Sequence, residues 1–293
     1  MMNRQRQFST LYGAIAGTVC AVLVLALAAR ASDRRDFTEE FHQTYALTAD
    51  GSVELDNING AVHITAWDRN EVKVDAVKYA GTKEKLDEAR IDVEASPNHI
   101  AIATKYPDHD HTFNWGSRNN PAGVEYTLTV PRNSRLDEIK LVNGALDITG
   151  VKGEVRASCV NGHLDAHNLA GRAELSTVNG RMEATFEQLP GSSVKLSSVN
   201  GSIDLTIPSD SNAEVDASTV NGGIENDFGL HVSHHHYGPG HNMRGELGSG
   251  GPHIKLENVN GHVDIRHASD GRAMSPAKDL SNRNKDDDDD SDI

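Results

Sequence analysis

Val160-Asn161-Gly162 and Val178-Asn179-Gly180 stand 18 residues apart, and the triplet returns as Val142-Asn143-Gly144, Val199-Asn200-Gly201, Val220-Asn221-Gly222 and Val259-Asn260-Gly261. Ile58-Asn59-Gly60 is an outlying copy nearer the N-terminus. From Asn143 to Asn200 the spacing is 18 to 21 residues, the period of a solenoid coil. The step from Asn221 to Asn260 reads as about two coils with a loop inserted.

Aligned on their Asn, the copies form columns. Three residues after it comes an apolar side chain: Leu146, Leu164, Met182, Ile203, Ile224, Val263. The next residue is acidic each time: Asp147, Asp165, Glu183, Asp204, Glu225, Asp264. The one after is mostly apolar again, as in Ile148, Ala166, Ala184, Leu205 and Ile265. This period-2 alternation marks a half-buried strand. Before the Asn it runs backwards, with Val194, Leu196 and Ser198 against Lys195 and Ser197. Each unit is a strand, an Asn-Gly corner and a second strand, so the structural corners are Asn143/Gly144, Asn161/Gly162, Asn179/Gly180, Asn200/Gly201, Asn221/Gly222 and Asn260/Gly261.

Asn-Gly between alternating strands is also the strongest hairpin signal, so a meander of antiparallel hairpins competes. Two features favour the coil. A hairpin would leave six valines on the polar side, whereas a coil corner lets each Val turn inward and stack on its copies. The column five before Asn reads Glu138, Arg156, Glu174, Lys195, Asp216, alternating in sign as stacked coils about 4.8 Å apart require. The expected fold is all-β: a single-domain parallel β-solenoid, β-helix-like, with about 18–21 residues per coil and one short helix around Thr82 to Arg90.

The 293 residues carry a net charge of -15, with 37% hydrophobic and 5% aromatic content. A solenoid's narrow core tolerates so few large side chains, and the acidic balance argues against nucleic acid. Arg4 and Arg6 precede an apolar run at 12–29, then Ala29-Arg30-Ala31. Residues 1–31 thus read as a secretory signal peptide or an uncleaved N-terminal membrane anchor. Either places the remainder outside the cytoplasm, in the periplasm or at the surface. Cys20 lies in the apolar run without a lipid-attachment pattern, and Cys159 is left unpaired in the column of Thr177, Ser198 and Thr219, where a small buried residue is expected. Residues 36–135 read as degenerate opening coils and a cap, 136–267 as regular repeats with a His/Gly-rich loop at 231–252, and 268–293 as a disordered acidic tail ending in Asp286 to Asp290.

The sequence resembles the bacterial putative adhesin family of domains of unknown function. The residues that carry the likeness are Leu55-Asp56-Asn57-Ile58-Asn59-Gly60, Ala66-Trp67-Asp68, Tyr126-Thr127-Leu128-Thr129-Val130-Pro131, the serial Val-Asn-Gly repeats and Gly248-Ser249-Gly250-Gly251. The resemblance covers about residues 40 to 267. It implies an envelope-exposed β-solenoid and supplies no catalytic residues.

Three sources of chemistry compete. The acidic column from Asp147 to Asp264 is a candidate interaction face, and its stacked carboxylates a candidate Ca²⁺ ladder; the plain alternative is a solvated face. His231, His234, His235, His236 and His241 are candidate ligands for Zn²⁺ or a similar ion, with Asp108-His109-Asp110-His111 a lesser set. A polysaccharide-active enzyme would need convergent acids with basic partners and aromatic platforms, yet the tryptophans are Trp67 and Trp115 and no basic column flanks the acids. No serine-hydrolase elbow, zinc-protease motif or phosphate loop is present, and no cofactor motif. The expected function is therefore a non-enzymatic, exported scaffold binding an envelope protein or glycan, with a Ca²⁺- or Zn²⁺-binding envelope module as alternative and a polysaccharide-active enzyme third.

Overall fold

The computed structural model describes residues 37–107, 121–189, 191–234 and 239–281. The 1–31 segment with Cys20, the Asp108–His111 set with Trp115, His235, His236 and the Asp286–Asp290 run lie outside the described residues. Among the described residues no helix is long and apolar enough to cross a membrane.

The alternating apolar pattern produces strands throughout. The chain opens with β1 (Phe37–Ala46), β2 (Ser52–Asn59), β3 (Val62–Trp67) and β4 (Glu71–Ala80). Helix α1 (Lys83–Glu88) follows, capped by Thr82, whose side chain accepts from the Lys85 N–H, with Leu86 buried beneath it. Then come β5 (Arg90–Ser96), β6 (His99–Lys105) and β7 (Gly123–Pro131). The Val-Asn-Gly region supplies paired strands: β8 (Arg135–Asn143) with β9 (Leu146–Thr149), β10 (Val155–Asn161) with β11 (Leu164–Leu169), and β12 (Ala173–Asn179) with β13 (Met182–Phe186). It continues with β14 (Val194–Asn200) and β15 (Ile203–Ile207), then β16 (Ala213–Asn221) and β17 (Ile224–Asn226). Last come β18 (Val232–His234), β19 (His241–Leu247), β20 (His253–Asn260), β21 (Val263–His267) and β22 (Ala277–Asp279).

In each pair the strand entering the corner joins one sheet and the strand leaving it joins the other. The entering sheet runs β18-β19-β16-β20-β14-β12-β10-β8-β2-β6-β5 with β22 beside β19, and the leaving sheet runs β1-β4-β7-β3-β9-β11-β13-β15-β21-β17. Successive coils pair parallel and in register, Asn on Asn: Asn143 with Asn161, Asn161 with Asn179, Asn179 with Asn200. The parallel β-solenoid is therefore correct, and the hairpin meander is not.

The inward columns fill the space between the sheets. Leu55, Ile139, Ala157, Leu175, Leu196 and Leu256 line one side, and Val62, Leu146, Leu164, Met182, Ile203 and Val263 the other, all buried. Each large aliphatic chain so buried stabilises by about 1.5–3 kcal/mol, which is how a core nearly free of aromatics holds.

Spatial order departs from chain order at both ends. The coil β20–β21 lies between β14–β15 and β16–β17, so the step from Asn221 to Asn260 is an intercalated return rather than two further turns. At the other end β6–β7 pairs outside β2–β3. Antiparallel strands then close the stack: β5, β4 and β1 at one end, β19 with β18 and β22 at the other. Such caps cover edges that would otherwise template aggregation. Two expectations are corrected here. The 231–252 stretch, read as a loop, contains β18 and β19, and the polar tail from 268 includes β22 and a buried Leu280, because β16 offers an edge to β19 and β19 in turn offers one to β18 and β22.

Candidate interaction face

The corner is built by backbone necessity. Gly144, Gly162, Gly180, Gly201, Gly222 and Gly261 all have φ between +144° and +156°, and each would place a Cβ under 3.0 Å from the carbonyl oxygen of the glycine in the neighbouring coil. Beside them the Asn side chains form a ladder through Asn59, Asn143, Asn161, Asn179, Asn200, Asn260 and Asn221, in which each Nδ2 donates to the preceding Oδ1 at 2.9 Å.

The preceding residue does not turn inward. Ile58, Val160, Val178, Val199, Val220 and Val259 are 38–48% exposed, which corrects the inward stacking expected of them. The strand pleat decides: Cys159, Thr177 and Ser198, one position earlier, take the inward site. There Cys159 contacts the Gly144 carbonyl at 3.5 Å, and burial pushes its thiol up to about 11, so it is a packing residue and not a nucleophile. The outcome is an aliphatic ridge along the corner. Between it and an outward serine column (Ser158, Ser176, Ser197) lies a groove of about 340 Å³.

The acidic column lies on the outer face of the leaving sheet. Asp147 opposes Asp165, Glu183 opposes Asp204, and Asp204 opposes Asp264. Basic groups were missed beside it. Arg181 pairs with Glu183 and Asp204, Arg266 with Asp204 and Asp264, and His63 with Asp147 at 2.6 Å. Partial burial, then the neighbouring Asp204 carboxylate, raises the Asp264 pKa above the usual carboxylate value.

Among the described residues one metal-capable group converges: Asp147, His163 and Asp165, whose ligand atoms lie within 4.8 Å of one another. Two of its members belong to the predicted column. His163 was not predicted, although its place two residues before Asp165 puts it on the same strand face. Of the predicted histidines, His231 is exposed and His234 pairs with His241 across β18 and β19.

Ser209, His267 and Asp270 have the residue types of a hydrolytic triad but not its order. The buried Ser209 hydroxyl lies 3.0 Å from His267 Nδ1 and donates to Asp270 Oδ1 at 2.7 Å. In a triad the carboxylate orients the imidazole, which faces the hydroxyl with its other nitrogen; here Asp270 holds the serine. The Ser209 contact keeps the Asp270 carboxyl at about 2. The set tethers the turn after β15 to the segment after β21.

Several solved structures align with much of this chain. A putative cell adhesion protein from Clostridium sporogenes is 12% identical with a TM-score of 0.46, over 78% of this chain and 100% of that one. A putative adhesin from Bacteroides fragilis is 14% identical at 0.28, over 78% and 97%. A putative lipid binding protein from Parabacteroides distasonis is 11% identical at 0.32, over 80% and 98%. No curated protein matches the chain. Residues 137–266, the regular coils from β8 to β21, match the model of the Toastrack DUF4097 family.

Proposed function

We propose that this chain is an exported, non-enzymatic scaffold of the bacterial envelope that binds its partner, an envelope protein or glycan, through the outer face of the entering sheet. The exposed aliphatic ridge from Ile58 to Val220 carries the reading. A soluble solenoid gains nothing from six half-exposed aliphatic chains in one line, whereas a partner covering them gains on the order of 1 kcal/mol from each. The apolar run at 12–29 supports export, and the inverted order of the Ser209 set supports a role other than hydrolysis. A photo-crosslinking residue at Val178 in the native cell is expected to capture a discrete product, and Val178→Glu to weaken binding about tenfold while leaving the melting temperature unchanged. Absence of any product would sink the reading.

A second reading rests on the Asp147–His163–Asp165 group. One imidazole with two carboxylates suits Zn²⁺ better than Ca²⁺, which needs six to eight oxygens. Zinc calorimetry on the full-length chain is expected to give heat that His163→Ala abolishes; no heat at millimolar zinc removes the reading.

A further inference from the structure

The intercalated coils change the order of the charges on the entering sheet. In space, the outward column five before Asn, with its continuation into the caps, runs Glu94, Ala101, Glu54, Glu138, Arg156, Glu174, Lys195, Lys255, Asp216, Arg244; β8 bulges at this point, so Asp137 and Glu138 together stand against Arg156. Lys255 arrives between Lys195 and Asp216, so the strict alternation read along the chain is broken. The spatial sequence of signs, reversed, is its own complement at every position but the Ala101 and Asp216 pair.

We infer that the partner of this face is a second copy of the chain, docked face to face about a two-fold axis parallel to the strands and passing between β10 and β12. This rests on the scaffold reading and names its ligand. The axis keeps each column over itself and reverses the stack. Arg156 then faces the second copy's Glu174, Glu138 its Lys195, Glu54 its Lys255 and Glu94 its Arg244, while Ala101 faces Asp216. Every acid of the column except Asp216 meets a base, and each pairing occurs twice in the dimer, as an isologous interface requires.

The other two columns agree with this arrangement. Ser158 meets Ser176, small side chains that let the faces approach, and Val160 meets Val178 in the ridge. One contact opposes it: Asp56 meets Glu257, a like-charged pair with Lys140 and Lys255 in the adjacent positions. The partners these charges hold within one chain, Lys140–Glu138 at 2.6 Å, Lys255–Glu257 at 2.6 Å, Lys195–Glu174 at 3.9 Å and Arg156 with the half-buried Glu154 at 2.6 Å, are cheap to rearrange because surface pairs contribute little. At about 4.8 Å per strand and about 3.4 Å per residue, the six strands from β2 to β20 offer roughly 500 Å² per copy. Two faces give about 1,000 Å², the floor for a specific interface. The dimer is therefore weak, micromolar, and salt-sensitive.

Sedimentation of the full-length chain at low salt tests it. The wild type is expected to dimerise and to weaken at least fivefold in high salt. Arg156→Glu alone sets a carboxylate at position 156 against Glu174 twice. Glu174→Arg alone sets a guanidinium at position 174 against Arg156 twice. Each single variant is therefore expected to dimerise about tenfold less well. Mixed together, the first variant, acidic at both positions, faces the second, basic at both, and association is expected to return. Mixing cannot change repulsion within either chain, so recovery reports the interface and not the fold. Asp56→Lys, which removes the one opposing contact, is expected to tighten the dimer. A wild type that stays monomeric at low salt, or a mixture no tighter than its components, overturns the inference. The Val178 crosslink separates the two claims: a product of two copies supports both, a product with another molecule keeps the scaffold and removes the dimer, and no product removes both.

Discussion

Gly180→Ala is expected to destabilise the solenoid by about 3–5 kcal/mol, lowering its urea midpoint by roughly 1–2 M. Two costs combine. At φ +144° an L side chain is strained, about 1–3 kcal/mol for such a residue. The added methyl also meets the Gly162 carbonyl oxygen, and backbone cannot step aside as a side chain can. Relief would require separating β12 from β10, and with it the Asn179–Asn161 bond and the Gly162 N–H bond to the Asn179 carbonyl. Two comparison variants divide the effect. Gly229→Ala, at φ +77° with open space around it, should show the conformational part alone, about 1 kcal/mol. Gly191→Ala, with no neighbour within 4 Å, should stay within about 0.5 kcal/mol of wild type. Equal losses for Gly180→Ala and Gly229→Ala would show that the glycine stack is not a steric constraint. Each coil contacts mainly its neighbours, so failure at a central corner interrupts the array.

The same corner shows how far the sequence could be read. The Val-Asn-Gly period of 18 to 21 residues implies a solenoid coil, while the alternation on both sides of Asn also fits hairpins. Its valines were misplaced because the corner was imagined as rotating the residue before Asn inward. In the structure the strand pleat continues up to Asn, so Thr177 goes in and Val178 goes out. The right fold was thus supported by one wrong argument and one incomplete one. The incomplete one was the charge column, which alternates along the chain but not in space, where Lys255 lies between Lys195 and Asp216.

Coil order was illegible for a physical reason. Every coil presents nearly the same inward residues, so Leu256 packs beside Leu196 as well as Ala217 would. Nothing in the local pattern distinguishes the intercalated order from the sequential one. The pairing on the interaction face depends on that order: with β20 between β14 and β16, Lys255 and not Asp216 comes opposite Glu54. The acidic column lies on the leaving sheet, and Arg181, Arg266 and His63 approach it from positions that no single alignment column displays.

Asn57→Ala is expected to cost about 3 kcal/mol, more than any exposed Asn of the ladder. Asn57 occupies the inward column of Cys159 and Thr177, from which some side chains, though not Thr177 and Ser198, reach a corner carbonyl of the neighbouring coil. Thr219 does so with a bond to Gly261 O at 3.1 Å, and Asn258 with one to Gly201 O at 2.8 Å. Asn57 does more, because coil β6–β7 lacks its own Asn-Gly corner. Its Nδ2 donates to Val124 O at 2.9 Å and Gly60 O at 3.2 Å, and its Oδ1 accepts from Thr104 Oγ1, which lies 2.8 Å from the Tyr126 hydroxyl. The amide is fully buried, and so is the Tyr126 ring; burial also raises the Tyr126 hydroxyl pKa. Truncation therefore takes a donor from the Val124 and Gly60 carbonyls and an acceptor from the Thr104 hydroxyl, which keeps only Tyr126, in a buried interior. Asn57→Asp should be worse at neutral pH, since a carboxylate cannot donate to Val124 O and is itself buried. Burial favours its protonated form in the folded state, so its folded pKa exceeds the unfolded value of about 3.9. The sign follows: below that value the penalty is smallest, and it grows as pH rises through the folded pKa. Urea unfolding of both variants at pH 3.5 and 7 checks this. A pH-independent Asn57→Asp penalty would show that the amide's donors do not hold the first corner.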